Sequence, residues 1–202
     1  MLLDAEAERV LRARAKHELR GRMRSLRATI PRGALDLRSE RIVERVLGSA
    51  RWAAASAVAL FSPLLDRGEV DVRPLDAAAR ARGLTVLWPC LDGEQPALRA
   101  CALDALEDRG HRFAEPPDDA PLGPTAPGLL VVVPALAFDG EGHRIGYGAG
   151  FYDRLLEGLG ARATAIGVAY DFQLVAEVPV LPGDVAVAEV VTDARSIEPP
   201  AR

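Results

Sequence analysis

Short, valine-rich apolar runs at 56–61, 84–88, 129–133, 164–169 and 185–191 recur along the chain with helical stretches between them, and this alternation restricts the fold more than any other feature. Each run is shorter than an ordinary helix and too continuously apolar for a half-exposed strand, so the runs read as strands buried on both faces. Residues 73–82 and 151–159 carry helical spacing between successive runs. Such alternation builds an α/β layer fold, a mainly parallel sheet flanked by helices with right-handed crossovers. A chain of 202 residues suits a single domain with one sizeable core. Nothing repeats at the period of a solenoid or propeller.

Two helices are expected before the first strand. Over 5–29, Leu11, Ala15, Leu19, Met23 and Leu26 form an amphipathic stripe that ends at Pro31. The same stretch puts Lys16 and Arg20 one turn apart on a single basic face, where one anion can meet both. A solvated charged face is the plainer reading of that pair. The second helix is expected from Ser39 as N-cap through Ile42, Val43, Val46 and Leu47 to Gly48. Lys16 is the sole lysine among 25 lysines and arginines together, and the chain has no asparagine. Coding bias toward arginine accounts for that pattern, and the surviving lysine either marks a position needing a compact ammonium or remains by chance.

The most informative segment spans 131–154, VVVPALAFDGEGHRIGYGAGFYDR, in which a strand runs into a glycine-rich loop and then a helix. Gly146, Gly148 and Gly150 allow close backbone approach, and the first turn of the following helix offers unpaired amides at its positive dipole end. The loop lacks the lysine and hydroxyl of a P-loop and the spacing of a dinucleotide fold. Its company raises its weight: Arg144 precedes the glycines, and Tyr152, Asp153 and Arg154 follow them. Cation, aromatic, carboxylate and exposed amides together suit a triphosphate, a ring and a metal. The alternative is a tight strand-to-helix turn with a capping aspartate.

Other classes find little support. A net charge of −4 gives no long-range attraction to nucleic acid or anionic membranes, and the apolar run 129–138 is far below the roughly 20 residues of a membrane span. The N-terminus mixes Asp4, Glu6, Glu8 and Arg9 instead of presenting a secretory signal, so a cytoplasmic protein is expected. Cys90 and Cys101 lack CxxC spacing and read as reduced, packed thiols, while His17, His111 and His143 share no metal-ligand spacing. The segment 115–128, EPPDDAPLGPTAPG, reads as a long loop, and the last residues as a frayed tail.

The segment around the glycines resembles the signature of the 5-formyltetrahydrofolate cyclo-ligase family, a Pro-Gly/Ala-aromatic-Asp stretch followed by R-L-G-Y-G-x-G-Y-Y-D-R. Other landmarks agree in order. The family's K-x-x-L-R motif matches Lys16, Leu19 and Arg20, its E-V-D segment matches Glu69, Val70 and Asp71, and its Glu-Pro matches Glu115 and Pro116. Its closing segment is similar to 166–193, so the likeness covers about 14–193.

The resemblance implies a fold similar to that of phosphosugar isomerases and CoA transferases. It also implies ATP-dependent closure of 5-formyltetrahydrofolate to 5,10-methenyltetrahydrofolate, with ADP and phosphate released. Lys16, Arg20, Arg144 and the loop Gly146, Tyr147, Gly148, Ala149 and Gly150 would hold ATP, and Asp153 would help to place Mg2+. Glu69 and Tyr152 would face the folate, with Arg144 and Tyr152 nearest the chemistry. The expected partners are these small molecules, with no nucleic acid and no membrane, and the expected state is a monomer. The family's mechanism has the formyl oxygen attack the γ-phosphoryl group, giving an iminium phosphate that the anilinic nitrogen attacks before phosphate leaves. This chain departs from the pattern in a longer stretch between Ser62 and Glu69, in Ala149 for Gly or Lys, in Phe151 for Tyr and in Gly183 for His. The rival readings are a folate-binding paralogue with lost or altered activity, and an isomerase or transferase on a similar fold.

Overall fold

The computed structural model describes residues 4–110, 113–123 and 127–200. It contains helices α1 (Ala5–Ala28), α2 (Arg32–Leu47), α3 (Ala50–Ala54), α4 (Arg73–Ala81) and α5 (Phe151–Leu159). The strands are β1 (Ala57–Ala59), β2 (Thr85–Asp92), β3 (Gln95–Ala100), β4 (Leu129–Pro134), β5 (Ala137–Phe138), β6 (Arg144–Ile145), β7 (Ala163–Val168), β8 (Glu189–Val191) and β9 (Ser196–Ile197). Seven strands form one sheet in the order β3-β2-β1-β4-β7-β8-β9, and β5 pairs with β6 apart from it. The pairs β2/β1, β1/β4, β4/β7 and β7/β8 are parallel, whereas β3 and β9 close the two edges antiparallel. The architecture is therefore the expected α/β layer with a mostly parallel sheet.

Alternate residues of the central strands face opposite layers, as the two-residue period of a strand requires. Val58, Leu60, Leu130, Val132, Ile166 and Val168 pack with Ile42 and Val46 of α2 and Leu75 and Ala79 of α4. Ala57, Ala59, Leu129, Val131, Val133 and Ala165 point the other way, to Leu155 and Leu156 of α5. Strand β1 lies between β2 on one side and β4 on the other, so successive crossovers leave it in opposite directions. Parting loops open a crevice at such a switch point, beyond the carboxyl ends of the strands.

Several expectations need correction. Helix α2 begins at Arg32 after Pro31, so Ser39 is no N-cap. It is buried mid-helix, where its Oγ accepts from Asp71 N at 3.1 Å and lies 3.1 Å from the Tyr170 hydroxyl. The run at 185–191 is a strand only over Glu189–Val191. Hairpin β2–β3 was not anticipated; its turn is Gly93-Glu94, with Gly93 at φ 62° after Asp92. The loop at 115–128 is partly tied down, because Glu115 bridges to Glu107 and Leu122 to Arg99.

The face that α1 buries also differs from the expected stripe. Leu11 and Leu26 are exposed, and the buried positions are Lys16, Met23 and Arg27. These lie at i, i+7 and i+11 and share one side of the helix with half-buried Arg20. On this side Met23, with Leu19 beside it, packs against Leu136, Ala137, Ile145 and Val178, while Lys16 meets Asp184 and Arg27 meets Tyr147.

One glycine shows how tightly the sheet meets the β5–β6 hairpin. A Cβ added to Gly167 would stand 2.4 Å from the ring of fully buried Phe138. Gly167→Ala is therefore expected to destabilise the protein by about 1–3 kcal/mol through overpacking, measured by thermal or urea unfolding. An unchanged midpoint would show that the Phe138 ring moves freely.

Candidate functional site

A cavity of about 290 Å³ opens at the switch point, between Phe61 and Ser62 after β1 and Pro134 at the end of β4. Its other walls come from α1, the glycine loop, the start of α5 and the turn at Leu181 and Asp184. That volume is at the low end for small-molecule sites, enough for reacting groups but not for two whole ligands.

Cations line part of the cavity. Lys16 is 5% exposed, and its Nζ is ion-paired with Asp184. Arg20 Nε donates to the Gly146 carbonyl at 3.0 Å, which fastens the glycine loop to α1. Arg144, on β6, donates to Asp153 Oδ1 at 2.5 Å and to the Val185 carbonyl. Burial pulls the Arg144 guanidinium below its ordinary range against the pull of Asp153, and burial followed by the nearby Arg24 charge does the same to Arg20. Cations so placed gain from an added anion.

The glycine loop meets the geometry that its sequence demands. Gly148 at φ 103° and Gly150 at φ 64° hold left-handed conformations, and Gly150 is the N-cap of α5. No side chain caps that helix, and Asp153 instead accepts from Arg144 and from Val185 N at 3.1 Å. The capping-aspartate reading therefore fails, and the first turn of α5 keeps amides without side-chain acceptors.

Aromatic rings and a carboxylate complete the lining. Tyr152 and Phe151 lie edge to face at 5.3 Å, and Phe151 meets Phe113 at 5.5 Å. Burial, and then the Glu69 charge, push the Tyr152 phenol well above its usual range, so it stays a neutral donor. Glu69 is 7% exposed, and burial holds its carboxyl above the ordinary carboxylate range although nearby donors pull it back. Its Oε2 accepts from Leu64 N at 2.8 Å, and its Oε1 accepts from the Tyr147 hydroxyl.

The structure thus gathers Lys16, Arg20, Glu69, Arg144, Gly146, Tyr147, Gly148, Ala149, Gly150, Tyr152 and Asp153 around one cavity. Tyr147 turns its hydroxyl toward Glu69, where it also accepts from Arg27. Sequence reading missed Asp184, Arg67 and Phe113 in the walls, and Arg27 behind Tyr147. The spacing of Arg27 from Lys16 and Arg20 was the available signal for it; nothing local marks Asp184. Cys90 and Cys101 are free, and burial raises the Cys90 thiol to about 11. His143 lies 3.3 Å from Asp139, and His111 is outside the described residues. Among the described residues no three His, Cys, Asp or Glu gather to hold a metal, and no helix is long and apolar enough to cross a membrane.

A mostly parallel α/β sheet whose switch-point crevice pairs buried cations with a carboxylate and aromatic rings has the form of a small-molecule enzyme. The model of the 5-formyltetrahydrofolate cyclo-ligase family matches residues 12–193, and the chain belongs to that family. A 5-formyltetrahydrofolate cyclo-ligase of Escherichia coli strain K12 is 33% identical over 147 residues, 70% of this chain and 80% of that one. Another, from Mycolicibacterium smegmatis, is 44% identical over 82 residues, 41% of this chain and 42% of that protein. The NMR structure of Aquifex aeolicus 5,10-methenyltetrahydrofolate synthetase superposes with a TM-score of 0.78 at 26% identity, covering 93% of this chain and 94% of that one. A 5,10-methenyltetrahydrofolate synthetase from Mycoplasma pneumoniae shares the fold at a TM-score of 0.69 and 18% identity, over 88% of this chain and 98% of that one.

Proposed function

We propose that this chain uses ATP to close 5-formyltetrahydrofolate into 5,10-methenyltetrahydrofolate. The observation that carries the reading is the lining of one cavity by two sets of groups: Lys16, Arg20 and Arg144 with the glycine loop, and Glu69 with Tyr152. A phosphoryl donor and a hydrogen-bonding ring system match that division.

An N-formyl carbonyl is a weak electrophile, because nitrogen donates into it, and ring closure must expel its oxygen. Transfer of the γ-phosphoryl group to that oxygen releases ADP and converts the oxygen into a leaving group. The anilinic nitrogen then attacks the activated carbon and loses its proton to water or to a phosphate oxygen, and the carbon–oxygen bond breaks as phosphate departs. Lys16, Arg20, Arg144 and the amides of the loop at 146–150 hold the phosphates in line and offset the charge that develops on them. Tyr152 donates from its neutral phenol, and Glu69 accepts from ring N–H groups, which fixes the folate against the donor. No nucleophilic side chain is needed.

Magnesium is usually held by one or two carboxylates together with phosphate oxygens and water. Asp153 and Asp184 beside the cations fit that donor set for an ion arriving with the triphosphate, and Asp153 is the residue assigned to it. When bound, the ion supplies charge neutralisation to the phosphoryl oxygens.

Purified protein given 5-formyltetrahydrofolate, ATP and magnesium is expected to develop the absorbance of the methenyl product, with ADP and phosphate formed in equal amounts. Omission of ATP or magnesium should abolish it. Equal turnover without nucleotide would overturn the proposal and favour an isomerase or transferase; folate binding without turnover would indicate an altered paralogue.

A further inference from the structure

Behind the folate-facing wall lies a buried chain of polar groups that the reaction does not require. Arg27, on α1, is 4% exposed and donates from its NH2 group to the Tyr147 hydroxyl at 2.8 Å. Tyr147, in the glycine loop, donates a hydrogen bond in turn from its hydroxyl to Glu69 Oε1. The remaining bonds of Glu69 are also fixed, with Leu64 N on Oε2 at 2.8 Å and the Tyr170 hydroxyl on its backbone carbonyl at 3.1 Å. Arg27 Nε is buried without a hydrogen-bond partner among the described residues. A guanidinium packed only for stability would be poorly served there, since a buried unsatisfied donor is unfavourable. What the position gives Arg27 is the end of a relay into the cavity.

We infer that Arg27 and Tyr147 are positioning residues for Glu69, holding its carboxylate oriented toward the cavity and charged, so that it can accept hydrogen bonds from ring N–H donors of the folate. Each carboxylate oxygen has a second lone pair beyond the one occupied by Tyr147 or Leu64, and Glu69 lines the cavity. Four elements face this carboxylate and a fifth holds the Glu69 backbone carbonyl. Arg27 comes from α1, Tyr147 from the glycine loop and Tyr152 from α5, while Arg67 and the Leu64 amide come from the turn before Glu69, and Tyr170 follows β7. Burial acts against the charge, and Tyr147, Leu64, Arg27 and Arg67 act for it. The relay also joins the two sets of groups, because Tyr147 stands between Gly146, tied to Arg20, and Gly148.

The role of the relay in turnover rests on the function proposed above, but its effect on Glu69 does not, and one experiment separates them. The protein is labelled with 13C at glutamate carboxyls, and the Glu69 signal is identified by its loss in Glu69→Gln. Wild type, Tyr147→Phe and Arg27→Met are then titrated by NMR. The Glu69 midpoint is expected to move to higher pH in both relay variants. In steady-state assays Tyr147→Phe is expected to raise the KM for 5-formyltetrahydrofolate about tenfold, the loss of one charge-assisted hydrogen bond, with the KM for ATP within about twofold of wild type. An unmoved midpoint in both variants overturns the inference. So does an equal rise in both KM values, which would mark Tyr147 as a structural prop of the loop. A wild-type protein that titrates as expected but shows no ATP-dependent turnover would refute the proposed function and leave the relay standing.

Discussion

Arginine in place of Lys16 is expected to slow turnover roughly ten- to a hundredfold, equivalent to about 1.4–2.8 kcal/mol in the transition state. The substitution keeps the charge, so any loss comes from geometry. Lys16 sits one turn from Arg20, is almost fully buried and ends at Asp184, whose Oδ2 also accepts from Leu181 N at 2.7 Å. A compact ammonium can leave Asp184 for a phosphate oxygen, or touch both, by a small rotation of its stem. A planar fork engages the carboxylate in two places and is bulkier, so it stays with Asp184 and displaces the phosphate contact. The burial also adds a cost absent from an exposed helix face. Fitting the larger head is expected to lower stability by about 1–3 kcal/mol while the protein still folds. Kinetics in ATP at saturating folate, beside a thermal melt, decide the matter. Wild-type kinetics in the arginine variant would return Lys16 to coding bias and withdraw it from the phosphate site.

The sheet was legible because buried parallel strands announce themselves as continuous apolar runs: β1 and β8 fall within them, and β2, β4 and β7 overlap them. Strand β3 escaped because QPALRA is an edge strand with mixed burial, and neither its composition nor its period marks it. Its turn did carry a signal, Asp92-Gly93, which needed weighing against the preceding strand. Ser39 misled because a serine ahead of an apolar run usually caps a helix. Here its hydroxyl is used across the core, accepting from the Asp71 amide and donating to the Tyr170 hydroxyl, whose own proton goes to the Glu69 carbonyl, a tertiary demand invisible in local spacing. Helix α1 was legible only in part. Apolar periodicity selected Leu19 and Met23, which do pack inward, together with Leu11 and Leu26, which are exposed, but Lys16 and Arg27 are buried against Asp184 and Tyr147, and polar burial leaves no hydrophobic pattern. The glycine loop and its flanking charges were readable because they are contiguous. Asp184, Phe113 and Arg27 reach the site from distant segments, and only the fold brings them there.

Glu69→Gln is expected to separate the stability of the site from its use. Because burial dominates, the Glu69 carboxyl binds its proton more tightly folded than unfolded. Its favourable contribution to folding is then fully present below the ordinary carboxylate range, and is lost as pH rises through the folded value. Above the folded value the wild-type protein carries an ionised, desolvated carboxylate that weakens it. Glutamine is neutral at every pH and escapes this step, although its amide must keep its oxygen on Leu64 N and face Tyr147 with nitrogen, leaving the phenol proton short of an acceptor. The absolute difference between the two proteins includes that mismatch, but the mismatch does not titrate. Unfolding by denaturant from acid to neutral pH should accordingly show the glutamine variant gaining stability relative to wild type as pH rises. A constant difference would mean that Glu69 titrates alike in the folded and unfolded chains. Activity is expected to move the opposite way. Loss of a charged acceptor against ring N–H groups costs about 1.5–3 kcal/mol, or roughly ten- to a hundredfold in kcat/KM for the folate. A variant both more robust at neutral pH and much slower would identify Glu69 as a group kept for the reaction at the expense of the fold.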